Sequence, residues 1–280
     1  MADRAKLIVG TAGVPDSSPS SDTLSGLETL ARLGIKAMEV EFVHGVNIQQ
    51  EKAELVGRRA AELGISLTCH GPYYINLNAK EKEKRQASEK RILDTARAGH
   101  WLGARSVTFH AAFFLDDPPD KVHQTVRDSL SRIMEKLASL GVRTRLSPET
   151  TGKPTQYGSL EELLKLCQEL PGLGLCIDFA HLHARSGGRC NTAAEFSEVL
   201  KQVETALGRL ALENLHLHLS GIDYSPKGEK KHLQLEESDL KWKELLKVLK
   251  TSGTGGILIA ESPDTEQDAL LLQKTLASIK

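Results

Sequence analysis

The 280-residue sequence predicts an α/β fold, a single-domain (β/α)8 TIM barrel over residues 1–280. Three observations predict it. Short apolar, β-rich runs recur about every 30 to 40 residues, the size of a βα unit. A Leu-Gly pair precedes many of them, as in ARLGIKAMEV (31–40), AELGISLTCH (61–70), HWLGARSVTFH (100–110), ASLGVRTRLS (138–147) and PGLGLCID (171–178); glycine suits the left-handed position just past a helix end. Eight such units in about 250 residues fit a barrel. No GxGxxG follows the first strand, which counts against a doubly wound sheet.

Taken in order, strands are expected to start near Leu7, Lys36, Ser66, Ser106, Arg143, Leu173, Asn214 and Gly256. Their apolar runs suit strands buried on both faces. The stretch PDSSPSS (15–21) reads as a loop entering the first helix, with Ser and Asp as caps. Leu55, Ala60 and Leu63 mark the second helix. The charged stretch 80–97 is a solvated helix face with Glu/Lys pairs. Leu130, Ile133, Met134 and Leu137 mark a further helix, and Leu160, Leu163, Leu164 and Leu166 another.

Bulk properties exclude some classes. No window approaches 18 unbroken apolar residues, so no membrane span is expected. The start MADRAKLIVG lacks the apolar core and cleavage site of a signal peptide. Cys69, Cys167, Cys176 and Cys190 form no CxxC pair and read as reduced thiols of a cytoplasmic protein. A formal net charge of −1 gives no support for nucleic-acid binding, though a local basic face would suffice.

In a barrel of this kind the active site gathers at the C-terminal strand ends. Those ends carry Glu39 and Glu41, His70, His110, Glu149, Asp178 with His181 and His183, His216 and His218, and Glu261. Each has a bland reading alone; Asp178, for instance, is either a helix cap or a ligand. Together they point to metal. Mixed His and carboxylate donors suit zinc, manganese or iron. The donors outnumber the four that one zinc needs, and paired metals can clamp both oxygens of a phosphodiester displacement.

The chain resembles the endonuclease IV family of zinc-dependent apurinic/apyrimidinic endonucleases, which are TIM barrels. The resemblance rests on HGPYYINL (70–77), SPETTGKPTQYG (147–158), LCIDFAHLHARSGG (175–188), LHLSG (217–221) and LIAESPD (258–264), in the family's order. It implies two or three Zn2+ ions (Mn2+ or Fe2+ are alternatives) and cleavage of double-stranded DNA 5′ to an abasic site by a monomer. His70, His110 and Glu149 would hold one ion. Glu149 would bridge to a second held by Asp178, His218 and Glu261. His181 and His232 would hold a third. Glu149 and Glu261 would be the catalytic carboxylates. Tyr73, Tyr74 and Asn76 would contact the DNA, with Lys230 and Lys231 on the loop after strand seven. His183 and His216 are expected to be structural or to support a ligand.

The sequence departs from the family in three places. Thr11 replaces a histidine, and FVHGVNIQQ (42–50) lacks an arginine that enters the DNA. Lys230 stands where an aspartate ligand is expected, and a protonated amine has no lone pair to give. Either Glu229 takes that place by a local shift, or the third ion is weak, absent or replaced by a lysine ammonium. Two other functions stay open: a sugar isomerase or epimerase of the related xylose isomerase-like barrels, which shares Glu149, Asp178, His218 and Glu261, and a damaged-DNA binder that does not cut.

Overall fold

The computed structural model describes residues 6–279; residues 1–5, half of the N-terminal stretch read above, and residue 280 lie outside it. Eight parallel strands form the centre: β1 (Leu7–Ala12), β2 (Ala37–Glu41), β3 (Ser66–His70), β4 (Ser106–Phe109), β5 (Arg145–Pro148), β6 (Cys176–Asp178), β7 (Leu215–Leu219) and β8 (Gly256–Ala260). They pair in the order β5-β4-β3-β2-β1-β8-β7-β6. A single bridge, Glu149 to Cys176, joins the two ends and closes the barrel. Across that seam Thr150 Oγ1 accepts from the Asp178 N–H at 2.9 Å and donates to the Asp178 carbonyl at 3.2 Å. A side chain thus supplies bonds that a longer strand would make with its backbone.

A helix follows every strand. The expected helices span Thr23–Leu33, Gln50–Leu63, Lys82–Leu102, Pro119–Ser139 and Leu160–Glu169, and Ala193–Leu207, Trp242–Thr251 and Thr265–Ser278 complete the ring. The first is capped by Asp22, one residue past the expected loop, which accepts from the Leu24 and Ser25 N–H groups. Gly34 and Gly64 end the first two at φ 75° and 65°, where a side chain would be strained. Leu170, not a glycine, ends Leu160–Glu169, so the repeat PGLGLCID marks a turn and not a cap. Leu55 faces solvent, and Ala53, Val56 and Ala60 bury their helix instead. No described helix is long and apolar enough to cross a membrane.

Alternation along each strand decides what lies inside. Met38, Val40, Leu67, Cys69, Val107, Phe109, Leu146, Ile177, Leu217 and Leu258 point outward into the one large core beneath the helices. Inside the barrel a small apolar cluster (Ile8, Ala12, Ala37, Ile257, Ile259) fills the β8-β1-β2 side. Elsewhere the inward positions are polar: Glu39 further along β2, and Thr68, Thr108, Ser147, His216 and His218 on other strands, all buried. A polar interior of this kind is costly unless paired, and it leads upward to the rim.

Candidate metal centre

The strand ends deliver their polar side chains to one place. Three groups of donor atoms form there, each with its atoms within 4.8 Å of one another: His70, His110 and Glu149; Glu149, Asp178, His218 and Glu261; and Asp178, His181 and His232. Glu149 lies between the first two. Its Oε2 is 3.2 Å from His70 Nε2 and 3.3 Å from His110 Nε2, while its Oε1 is 3.2 Å from His218 Nδ1 and 3.3 Å from His181 Nδ1. Glu261 Oε1 is 3.1 Å from His218 Nδ1. Asp178 is both things the sequence allowed. Its Oδ1 caps the helix Phe179–Arg185 by accepting from the His181 N–H at 2.8 Å, and its Oδ2 is buried with no hydrogen-bond partner.

The local fold sets which nitrogen each imidazole presents. His70, His181 and His232 each donate Nδ1–H to a backbone carbonyl: Gly71 at 2.7 Å, Thr150 at 2.9 Å and Glu261 at 3.0 Å. Their Nε2 atoms are therefore the ones that face the site, His70 Nε2 against Glu149 Oε2, and each can hold either a proton or a metal ion. His181 Nε2 and His232 Nε2 then face each other at 3.4 Å. A proton joins two nitrogens so placed, and a metal ion would take the place of that proton.

The hairpin Gly221–Ser225/Gly228–Leu233 resolves the lysine problem. His232 pairs with Ile222 and Lys231 with Asp223, but Tyr224 pairs with Glu229, so Lys230 is an extra residue in a β-bulge. The bulge shifts the alternation by one residue. Glu229, not Lys230, thus shares the inner face with His232, and Glu229 Oε2 lies 3.6 Å from His181 Nε2. Lys230 points out and pairs with Asp223 at 3.6 Å. Gly152 makes the room: a Cβ there would lie 2.7 Å from Glu229 Oε2 and 3.0 Å from the His181 ring.

These residues fit a metal cluster on three counts: the orphaned Asp178 oxygen, the two imidazole nitrogens brought face to face, and the charge balance. Among the described residues, neither Lys nor Arg pairs with Glu39, Glu149, Asp178, Glu229 or Glu261, whose partners are all imidazoles. Burial pushes Asp178 up to about 6 and Glu41 up to about 8. Burial works against the charged forms of Glu149 and His70 too, but their mutual attraction wins. The histidines His218 and His110 hold Glu149 well below its ordinary range, and the carboxylates Glu149 and Glu41 push His70 up to about 10. A metal ion entering the site thus competes with protons.

The other expected contact residues lie around this centre. Tyr73 and Tyr74 are 65% and 59% exposed, and the Tyr74 ring lies 6.2 Å from the His44 ring and 5.9 Å from the Arg91 guanidinium. Asn76 is turned inward: its Oδ1 accepts from the Asn78 and Phe113 N–H groups and so shapes the tyrosine loop. Lys231 is exposed. His183 bonds the Arg189 carbonyl and sits 3.0 Å from Asp239, away from the donor groups. Thr11 Oγ1 donates to the Gly13 carbonyl. The sequence reading left Glu39 and Glu41 without a role; Glu39 is fully buried beside His216 and His218, and period-two alternation from Ala37 is the signal that would have placed it inside.

A family model described as xylose isomerase-like TIM barrel matches residues 27–280. The chain is 41% identical over 268 residues to an uncharacterised protein of Methanocaldococcus jannaschii, covering 96% of each. It is 24% identical over 205 residues to apurinic-apyrimidinic endonuclease 1 of Plasmodium falciparum, covering 71% of this chain and 34% of that longer one. Among solved structures, it matches a D-tagatose 3-epimerase-like protein at TM-score 0.75 and 17% identity, covering 97% of this chain and 96% of the other. It matches endonuclease IV of Thermus thermophilus at TM-score 0.73 and 18% identity, covering 97% and 98%. At such identities the structural likeness speaks for the fold.

Proposed function

We propose, from the premise that this chain belongs to the xylose isomerase-like TIM-barrel family, that it is a metal-dependent phosphodiesterase that cuts duplex DNA 5′ to abasic sites. The observation that carries this reading is the number of donors. Around Glu149, Asp178, His218 and Glu261 stand His70 and His110 on one side, and His181, His232 and Glu229 on the other. A sugar enzyme working with one ion has no need of the outer two groups. Two or three ions held by these residues, zinc first by donor type and manganese or iron next, would supply Lewis-acid polarisation of a phosphoryl oxygen and an acidified water.

The chain's own residues provide the rest. Glu149 faces the first group with one oxygen and the second with the other, so it sets their spacing, and Glu261 closes the second group. These two are the carboxylates assigned to the reacting centre. Tyr73 and Tyr74 offer exposed rings on which bases beside a missing base would stack. Lys230 and Lys231 lie on the outer face of the hairpin that carries His232, placed to meet phosphates. The protein is taken to act as a monomer in the cytoplasm, in keeping with its four free cysteines.

Scission of a labelled duplex with one abasic analogue tests the reading. The expected result is a nick 5′ to the lesion that chelator abolishes and that His70→Ala slows ~100-fold; an intact duplex of the same sequence stays whole. No nick from protein shown to carry metal would overturn it. The completeness of the four-residue group favours a second reading, a sugar epimerase or isomerase. Interconversion of ketoses by protein that leaves the duplex whole would establish that one.

A further inference from the structure

His218 is turned unlike the other imidazoles of the site. His70, His181 and His232 present Nε2, because a carbonyl takes Nδ1–H. His218 presents Nδ1, which lies 3.2 Å from Glu149 Oε1 and 3.1 Å from Glu261 Oε1. No carbonyl holds its other nitrogen. Nε2 points at His216 Nε2 at 3.2 Å, with Glu39 Oε1 to one side at 2.8 Å. The second Glu39 oxygen is 3.0 Å from His216 Nε2, and His216 Nδ1 bonds Ser106 Oγ at 3.0 Å. Glu39 and His218 are fully buried, and His216 is nearly so.

We propose that Glu39 and His216 are positioning residues that keep the proton of His218 on Nε2 and so turn its Nδ1 lone pair toward Glu149, Asp178 and Glu261. The argument is electrostatic. An unprotonated Nε2 would set a lone pair against a carboxylate oxygen at 2.8 Å, inside a barrel with little water to screen it. A proton on Nε2 instead points to the His216 Nε2 lone pair, with the negative charge of Glu39 beside it, close but outside hydrogen-bond geometry. His216 then carries its own proton on Nδ1, which Ser106 Oγ accepts. The protons on His218 Nε2 and His216 Nδ1 each have a partner, and the charge of Glu39, which has no Lys or Arg beside it among the described residues, is met by these two imidazoles alone.

One rival occupant of this layer is a further metal ion, since Cys176 Sγ also lies within 4.8 Å of the two imidazoles. That would require His218 to give up both ring nitrogens at once. The approach from the other end of the barrel also disfavours a cation: the cavity that reaches His216 there, of about 870 Å³, is lined by Arg105 and Arg145.

The inference rests on the reading of the Glu149 group as a metal site, and its test separates the two. In zinc-loaded protein, the histidine 15N–1H correlation spectrum should show the His218 proton on Nε2, with Nδ1 carrying the metal; a proton on Nδ1 in protein that holds its full complement of zinc would overturn the proposal alone. Titration with zinc should then show one ion bound ~10- to 100-fold more weakly in Glu39→Ala, the others unchanged. Glu39→Gln keeps an acceptor oxygen and should recover most of that loss, and it serves if the alanine variant fails to fold. Equal affinities in wild type and both variants would overturn the proposal. So would a cobalt-loaded protein with a thiolate charge-transfer band that Cys176→Ser removes, since the layer would then hold an ion of its own. Absence of any bound ion would end the metal reading, and this proposal with it.

Discussion

A buried histidine is useful to a metal only when its free nitrogen is fixed, and here backbone carbonyls fix three of them. Glu229 shows how far one residue's place depends on its strand. Read as a plain alternation from His232, the sequence puts Lys230 inward; the bulge puts Glu229 there. Glu229→Ala is therefore expected to lose one bound ion, or to hold it ~10- to 100-fold more weakly, whereas Lys230→Ala keeps the full complement. Metal analysis of the two purified variants checks this, and the reverse pattern would refute the assignment. The donors on plain strands, from His70 to Glu261, were legible because alternation and strand order alone bring them to the rim. Glu229 was legible only as an option, because a bulge leaves no mark in the hydrophobic pattern. Glu39 was visible at its strand end, but nothing in the sequence says that it meets two histidines three strands away in the sheet.

At the scale of elements, the first loop is tied to the last helix. Glu266 accepts from the Asp16 and Ser17 N–H groups at 2.7 and 2.9 Å. Burial alone would raise its carboxyl, but these bonds outweigh it and hold the group below its ordinary 4.5. A depressed folded-state value means that the contribution is present above about pH 4.5 and is lost as pH falls through the folded value. Urea unfolding should thus find Glu266→Gln less stable than wild type near neutral pH, with the gap closing in acid; a gap independent of pH would contradict the assignment. Element positions were read well where physics is local. The expected starts Leu7, Ser66, Ser106 and Gly256 are the observed ones, and the last three follow directly on a helix end. The start of β6 was placed at Leu173 and falls at Cys176, since residues 173–175 are apolar enough to read as strand yet run past β5 with one bond, Gly174 N–H to Leu146.

The whole molecule is a barrel closed by its weakest seam at its most functional point. Between β5 and β6 the closure relies on the Glu149–Cys176 bridge and the Thr150 hydroxyl, beside two of the assigned ligands. Thr150→Val would leave the Asp178 N–H without a partner in a fully buried position. The expected cost is about 2–3 kcal/mol in denaturant unfolding, with weaker metal binding because Asp178 loses its anchor. Unchanged stability would show that the seam does not need the hydroxyl. The fold class was legible because repeated βα units leave few ways to bury eight apolar strands. The seam was not, since it depends on a side chain replacing a backbone partner.

The count of metal ions on the purified, unmodified chain tests the central claim most directly. Native mass spectrometry set against elemental analysis should find two or three ions per chain, stripped by chelator and restored by zinc. One ion per chain, unmoved by loss of His70 or His232, would contradict the account and return the site to a four-ligand, single-metal sugar enzyme.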